Sequence, residues 1–197
     1  MKIGVVSDTH IPDRAAALHP NLIGELQRST LDLILHAGDI STPAVLKELE
    51  KVAPVKAVAG NRDFLFAGNL KKTRNLRIKG VKIVLTHGHL NFLTYWWDKM
   101  HYLLKGYNRD RIIHRLASAF PKAKLIIFGH THRAENYWAG ETLFFNPGSV
   151  TIGDLWVRSR SYGIIEIGED GEITSQIVPL TGYELVDRKW QASEKVG

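Results

Sequence analysis

Residues Lys2–His10 read KIGVVSDTH, a short apolar, β-branched run that ends abruptly in small and metal-liking side chains. The same grammar recurs in LDLILHAGD (residues 31–39), VKAVAGNRD (55–63), KIVLTHGH (82–89) and KLIIFGHTH (124–132). Continuous apolar runs of this length mark strands buried on both faces, as in a sheet covered by helices. Between the first three, helices are expected at Asn21–Ser29 and Pro43–Val52, the second with Ser41 or Thr42 as N-cap and Pro43 near its first position. Strand alternating with helix implies βαβ units and a parallel core. Residues 74–86 switch to strand–Gly80–strand, a hairpin pattern. Residues 93–119 read as helix in two pieces broken near Gly106, and from 141 onward the text is short strands with a tight turn at Glu169–Gly171.

At 197 residues the chain suits one compact domain, and no Pro/Gly/Ser linker or repeat divides it. We therefore expect a single domain over residues 1–187 and a polar, fraying tail over 188–197. The absence of cysteine excludes disulfides, thiolate zinc sites, iron–sulfur clusters and cysteine nucleophiles. No apolar run approaches the ~20 residues of a membrane span, and the N-terminus does not read as a secretory signal, so a cytoplasmic protein without membrane contact is expected. The net charge of +6 hides an asymmetry: residues 62–124 carry 14 Lys+Arg against 3 Asp+Glu, while the remainder is mildly acidic. Such a stretch reads as a solvated face, as a device that attracts phosphate, or as a nucleic-acid footprint.

Ligands of α/β sheets bind beyond the carboxyl ends of the strands, so the five polar tips are expected to converge. Together they offer Asp8, His10, Asp39, Asn61, His87, His130 and His132. Oxygen and imidazole donors of this kind suit Mn, Fe, Zn, Ni or Mg ions and give no purchase to thiophilic metals. Seven ligands exceed the needs of one ion and make two half-shells if one carboxylate bridges, for which Asp39 is the natural choice. Each block alone has an ordinary structural reading: a turn after a strand, an Asx turn at Asn61, a surface His pair. All five in succession do not.

In this order the blocks resemble those of the calcineurin-like metallophosphoesterase superfamily. They stand here as Asp8-Thr9-His10, Gly38-Asp39, Gly60-Asn61-Arg62-Asp63, His87-Gly88-His89 and Gly129-His130-Thr131-His132. The short length and the late Asn146-Pro147-Gly148-Ser149 look most like its compact YfcE-type phosphodiesterase branch. The resemblance covers about residues 1–180. It implies a four-layer αββα sandwich of two mixed β-sheets flanked by helices. It also implies one metal held by Asp8, His10, Asp39 and His132 and a second by Asp39, Asn61, His87 and His130. The implied activity is metal-dependent phosphodiester hydrolysis, with a hydroxide bound to the dinuclear centre attacking phosphorus in line. Two divalent ions are the expected cofactors, manganese foremost, with iron, nickel, zinc and magnesium as alternatives. Asp63, Ser7, Thr86 and His36 are candidate orienters of these ligands.

One position departs from the pattern: many members carry His after the Asn of the third block, where this chain has Arg62. Arginine stays protonated, so Arg62 suits a phosphate contact rather than acid catalysis, and His89 becomes a candidate acid or substrate contact. The segment 92–115 interleaves Phe92, Tyr95, Trp96, Trp97, Tyr102 and Tyr107 with Lys99, Lys105, Arg109, Arg111 and Arg115. Aromatics at helical spacing are expected to pack on the sheet or to form a homodimer surface, with a base-stacking rim as the alternative. His19, His101 and His114 lie off the blocks and read as surface or packing residues, and Asn146–Ser149 as a structural turn. The expected partner is a small phosphodiester or nucleotide-like substrate. Two rival functions are a nuclease or nucleic-acid binder using the basic stretch, and a scaffold, since the same fold occurs in a retromer subunit.

Overall fold

The computed structural model describes residues 1–63, 70–90, 92–153 and 159–193, with the side chains of Phe92, Leu93, Tyr95, Asp98 and Lys99 outside that description. Five strands, β1 (Lys2–Val6), β2 (Leu33–His36), β3 (Val55–Ala57), β9 (Arg160–Ile167) and β10 (Ile173–Leu180), form one sheet in the order β10-β9-β1-β2-β3. A second sheet, ordered β4-β5-β6-β8-β7, takes β4 (Thr73–Ile78), β5 (Val81–Thr86), β6 (Leu125–Ile127), β7 (Ala134–Ala139) and β8 (Thr142–Pro147). Both sheets are mixed: β1, β2 and β3 run parallel, as do β5, β6 and β8, and antiparallel strands close the remaining edges.

The two-residue side-chain period of a strand explains the layering. On β1, Ile3 and Val5 point inward with Leu33 and Leu35 of β2, and meet Ile83, Leu85, Ile127 and Phe145 of the second sheet in a common core. The alternate residues, Val6 and Ile34, point outward to helix α1 (Leu22–Arg28) and helix α2 (Pro43–Glu50), which bury Leu22, Leu26, Val45 and Leu49 against them. On the far side, Val84, Ile126 and Phe144 receive Ile112, Ile113 and Leu116 of helix α4 (Arg109–Ala119). The order is therefore helix, sheet, sheet, helix, the four-layer αββα sandwich. Each buried Leu, Ile or Phe contributes about 1.5–3 kcal/mol over exposure, so the double sheet carries most of the stabilisation. The expected cover of the strands is corrected in one respect: β1, β2, β5 and β6 are largely buried on both faces, but one cover is the partner sheet rather than a helix, and the edge strand β3 leaves Lys56 exposed.

Local signals hold where turn chemistry is explicit. Thr42 caps α2 by accepting from Ala44 N–H, with Pro43 at its start. The β4–β5 hairpin turns at Lys79-Gly80, both with positive φ. The helical segment is broken as expected: α3 (Phe92–Lys105) ends at Gly106, which has φ +74° and donates to Tyr102 O at 2.9 Å, and Asn108 Oδ1 caps α4 by accepting Arg111 N–H. The C-terminal segment differs from a fraying tail: β11 (Tyr183–Val186) pairs with β12 (Lys189–Ala192), and Trp190 Nε1 donates to Ala17 O at 2.8 Å. Residues 194–197 lie outside the described part. Among the described residues, no helix is long and apolar enough to cross a membrane.

Candidate metal centre

Loops leaving β1, β2 and β3 of one sheet meet loops leaving β5 and β6 of the other, so the five blocks come together across the sandwich. The backbone seams are short: Asp8 N donates to Gly38 O and His10 N to Asp39 O, each at 3.0 Å, and Gly129 N donates to His87 O at 3.2 Å. Asp8, His10, Asp39, His130 and His132 all have left-handed backbone, with φ between 48° and 73°. Asp and His tolerate that region better than most residues, yet five of the seven expected donors sharing it is the kind of stored strain that gathers at functional sites. Glycines make the close approach feasible. A Cβ on Gly60 would collide with Asp39, and one on Gly129 with Ser7 and Asp8.

All seven expected donors lie in one cluster. Asp8 Oδ1 is buried without a hydrogen-bond partner and faces His132 Nε2 at 3.3 Å, His10 Nε2 at 3.8 Å and His87 Nε2 at 3.9 Å. Asp39 presents Oδ2 to His10 Nε2 at 3.7 Å and Oδ1 to His87 Nε2 at 3.5 Å. Asn61 Oδ1 lies 3.2 Å from both His87 Nε2 and His130 Nδ1. Three groups could each hold a cation: Asp8 with His10 and His132, Asp8 with Asp39 and His87, and His87 with His89 and His130. Asp8 as well as Asp39 thus faces both halves of the cluster. Strand-end spacing cannot show this, because it depends on which way each carboxylate turns.

The residues behind the donors fix those directions. Asp8 Oδ2 accepts from Ser7 Oγ at 2.5 Å and from His130 N at 3.2 Å, which leaves Oδ1 to face the imidazoles. Ala37 O can only accept, so His87 Nδ1 carries the proton of their 2.7 Å bond and Nε2 faces the cluster. Asp63 is buried and accepts four backbone N–H groups, from Asp39, Ile40, Ser41 and Gly60, at 2.7–3.0 Å. His36 accepts Gly38 N–H and meets Thr9 Oγ1. Among the expected orienters, Thr86 bonds only across the strands to Thr73. The Asn146–Ser149 turn is more closely involved than a plain turn: Asn146 Nδ2 donates to Gly129 O, Ser149 Oγ to Asp8 O, and the following Thr151 Oγ1 to Thr9 O. Thr151 was invisible in the sequence, because a lone Thr after a turn carries no signal.

Charge explains what such a cluster would hold. Burial pushes the Asp8 carboxyl up, but the imidazoles of His132, His87 and His10 hold it far below the carboxylate range. Asp39 is likewise brought down to about 2, burial being outweighed chiefly by His87. Burial lowers His87, yet Asp39 and Asp8 pull it up to about 10. His10 falls to about 4 and His130 well below its ordinary value, both through burial first. Two ionised carboxylates draw positive charge onto His87 and His132 while His10 and His130 favour neutrality, so the cluster is a place for positive charge, and the donor set fits divalent metal.

Arg62 lies beside the cluster with its Nη1 2.7 Å from Asp13 Oδ2, while its backbone N–H donates to Asp39 Oδ1 at 2.8 Å. His89 stacks edge-on to His87 and tilted to His130, at ring separations of 5.4 and 5.6 Å, and burial lowers it to about 4. His19 is a packing residue, set between Trp190 and Tyr183. The aromatic segment divides: Tyr107 packs against the apolar cluster under α4, while Trp96, Trp97, Met100, Leu103 and Leu104 of α3 are exposed rather than packed on the sheet. Phe92, Tyr95 and Lys99 of that reading lie outside the described side chains.

The chain is similar to known proteins in sequence and in fold. A probable metallophosphoesterase of Methanothermobacter thermautotrophicus is 35% identical over 183 residues, spanning 92% of this chain and 94% of that protein. A phosphodiesterase of Methanocaldococcus jannaschii is 24% identical over 189 residues, spanning 82% of this chain and 96% of its own. Among solved structures, wild-type Vps29 of Entamoeba histolytica complexed with zinc superposes with a TM-score of 0.69 at 24% identity, covering 92% of this chain and all of that one, a likeness of fold. The family model for the calcineurin-like phosphoesterase superfamily domain matches residues 1–170. With the fold, the donor cluster and these matches in agreement, the chain belongs to the calcineurin-like phosphoesterase superfamily.

Proposed function

We propose that the chain is a phosphodiesterase that holds two divalent cations, manganese foremost, one by Asp8, His10, Asp39 and His132 and the other by Asp39, Asn61, His87 and His130. The carrying observation is that Asp8 and Asp39 each face histidines of both groups, so one compact cluster offers two adjoining shells. Two such cations supply charge neutralisation and water activation for in-line displacement at phosphorus. The chain's own residues do the rest. Ser7, Ala37 and Asp63 hold the donors in direction. His89, packed against His87 and His130 and held neutral by burial, suits a substrate contact rather than the acid role. Arg62 is the cation nearest the cluster on the third block; release from Asp13 would let its guanidinium pair with phosphate oxygens. The likeness to Vps29 favours a scaffold no further than the fold, because a scaffold has no need of seven converging donors.

The test is metal content and hydrolysis of bis(p-nitrophenyl) phosphate after loading with each metal. Wild type should bind two ions per chain and turn over, and Asp39→Ala should lose metal and activity together. Full activity and two retained ions in Asp39→Ala would sink the assignment.

A further inference from the structure

A cavity of about 640 Å³ opens on the donor cluster, whose His10, Asp39 and His132 line it. Its remaining walls are largely apolar: Trp96, Met100 and Leu103 of α3, Ile112 of α4, and Ile152. That volume suits a small-molecule site rather than a bare phosphate. Leu103 is 81% exposed and the neighbouring Leu104 73%, so α3 holds apolar side chains open to solvent beside the cavity. A contiguous apolar surface bordering a charged cluster marks a place where something apolar sits.

Arg14, Arg62, His101, Tyr102 and Arg111 also line the wall. Thr131 Oγ1 accepts from Arg133 N and from Asn146 Nδ2, and Asn108 Oδ1 accepts from Arg111 N at the start of α4. A nucleoside arm resting on Trp96, Met100 and Leu103 would set its hydroxyls and base edge against carbon, a costly trade. An alkyl or aryl arm meets no such penalty. Resting on the phosphodiesterase reading, we propose that the substrate is a phosphodiester with one bulky apolar ester arm, seated on Trp96, Met100 and Leu103 while its phosphate lies at the donor cluster.

The experiment uses the full chain loaded with manganese and three p-nitrophenyl phosphodiesters that share a leaving group: methyl, hexyl and thymidine-5′. The hexyl ester should exceed the methyl ester in kcat/KM by about tenfold or more, because a single methylene in an apolar pocket can already be worth that much. The thymidine ester should not outrank the hexyl one. Met100→Ser and Leu103→Ser should each lower the hexyl-to-methyl ratio several-fold. Both side chains are exposed, so unchanged thermal melts will show that folding is not at stake. Calorimetric binding of methyl and hexyl methylphosphonate to the same protein gives a second reading, in which the hexyl compound binds at least several-fold tighter in wild type only. A flat series, a preference for thymidine, equal affinity for the two phosphonates, or serine variants that shift a dimer to monomer and leave the ratio intact would each overturn the proposal. Failure of all three esters to hydrolyse counts against the phosphodiesterase reading, and the phosphonate arm still decides this one.

Discussion

The floor and the roof of the cavity are built in opposite ways. The floor comes from strand-end loops of both sheets, with Asp8, His10, Asp39 and His87 buried, Asp8 and His87 directed by hydrogen bonds from behind, and much of its backbone in left-handed conformation. The roof is the single helix α3, whose Trp96, Trp97, Met100, Leu103 and Leu104 face solvent. Chemistry at phosphorus needs donors placed to fractions of an ångström, which only over-determined backbone provides. Selection among substrates needs apolar surface and tolerates looser placement. Substitutions should therefore be drastic in the floor and mild in the roof.

The largest effect is expected at Asp39. Its carboxylate faces His10 and His87, and its backbone carbonyl accepts His10 N–H. Asp39→Ala keeps the backbone bond and removes the bridge. Charge stabilisation of several kcal/mol goes with it, so kcat/KM should fall on the order of a thousandfold, alongside loss of metal measured by elemental analysis. An effect below tenfold would mean that the floor is not the reaction centre.

Next in size is Asp63→Asn, which separates positioning from ligation within the floor. An amide offers one acceptor oxygen where the carboxylate offers two, so two of the four buried backbone N–H groups would face an NH2 instead. Each unpaired donor costs about 1–3 kcal/mol, so denaturant unfolding should show a loss of about 2–6 kcal/mol. Metal affinity should weaken by roughly 10- to 100-fold, the scale typical of residues that orient a ligand. Unchanged stability would show that the Asp39–Ser41 loop does not depend on Asp63.

How far each region could be read in the sequence follows from the same contrast. The floor was legible because hard-metal chemistry admits few residue types, and Asp8, Asp39, His87 and His130 each end an apolar run. The sharing of Asp8 between both halves was not legible, since it follows from Ser7 and His130 N–H tying up Oδ2. The roof was legible only in part: Tyr107 packs on the fold, but helical spacing of aromatics says that one face is apolar without saying what lies opposite Trp96 and Trp97. Likewise, runs such as KIVLT say that a strand is buried on both faces without saying whether helix or sheet covers it. The β11–β12 hairpin was missed because its turn is Asp187-Arg188, both at positive φ, with no glycine or asparagine to announce it.

A buried imidazole away from both regions sharpens the acid behaviour of the floor. Burial first, and Arg160 second, lower His19 to about 4 from 6.5. Above pH 6.5 both folded and unfolded chains hold it neutral, and its contribution to stability is complete. Below that, the unfolded chain takes up a proton that the folded chain refuses, so stability is lost as pH falls towards 4. The slope approaches 1.36 kcal/mol per unit, and the total is about 2 kcal/mol after allowing for screening by nearby water. His19→Asn keeps an acceptor for Asn21 N–H and removes the titration. The difference in unfolding free energy between wild type and His19→Asn, with both metal-stripped, should shrink over that window. A flat difference would assign acid sensitivity to the floor histidines alone.

The smallest effect is expected in the roof. Trp97 is 67% exposed, and among the described residues its ring meets the guanidinium of Arg111 at 5.9 Å. An exposed cation–π contact is worth about 0.5–1 kcal/mol, and an exposed side chain gains little from burial on folding. Trp97→Ser should therefore change unfolding free energy by less than about 1 kcal/mol, against about 2–6 kcal/mol at Asp63. A larger loss would show that α3 is held down by its aromatic face after all, as helical periodicity suggested, and the division between a rigid floor and a lightly anchored roof would fail.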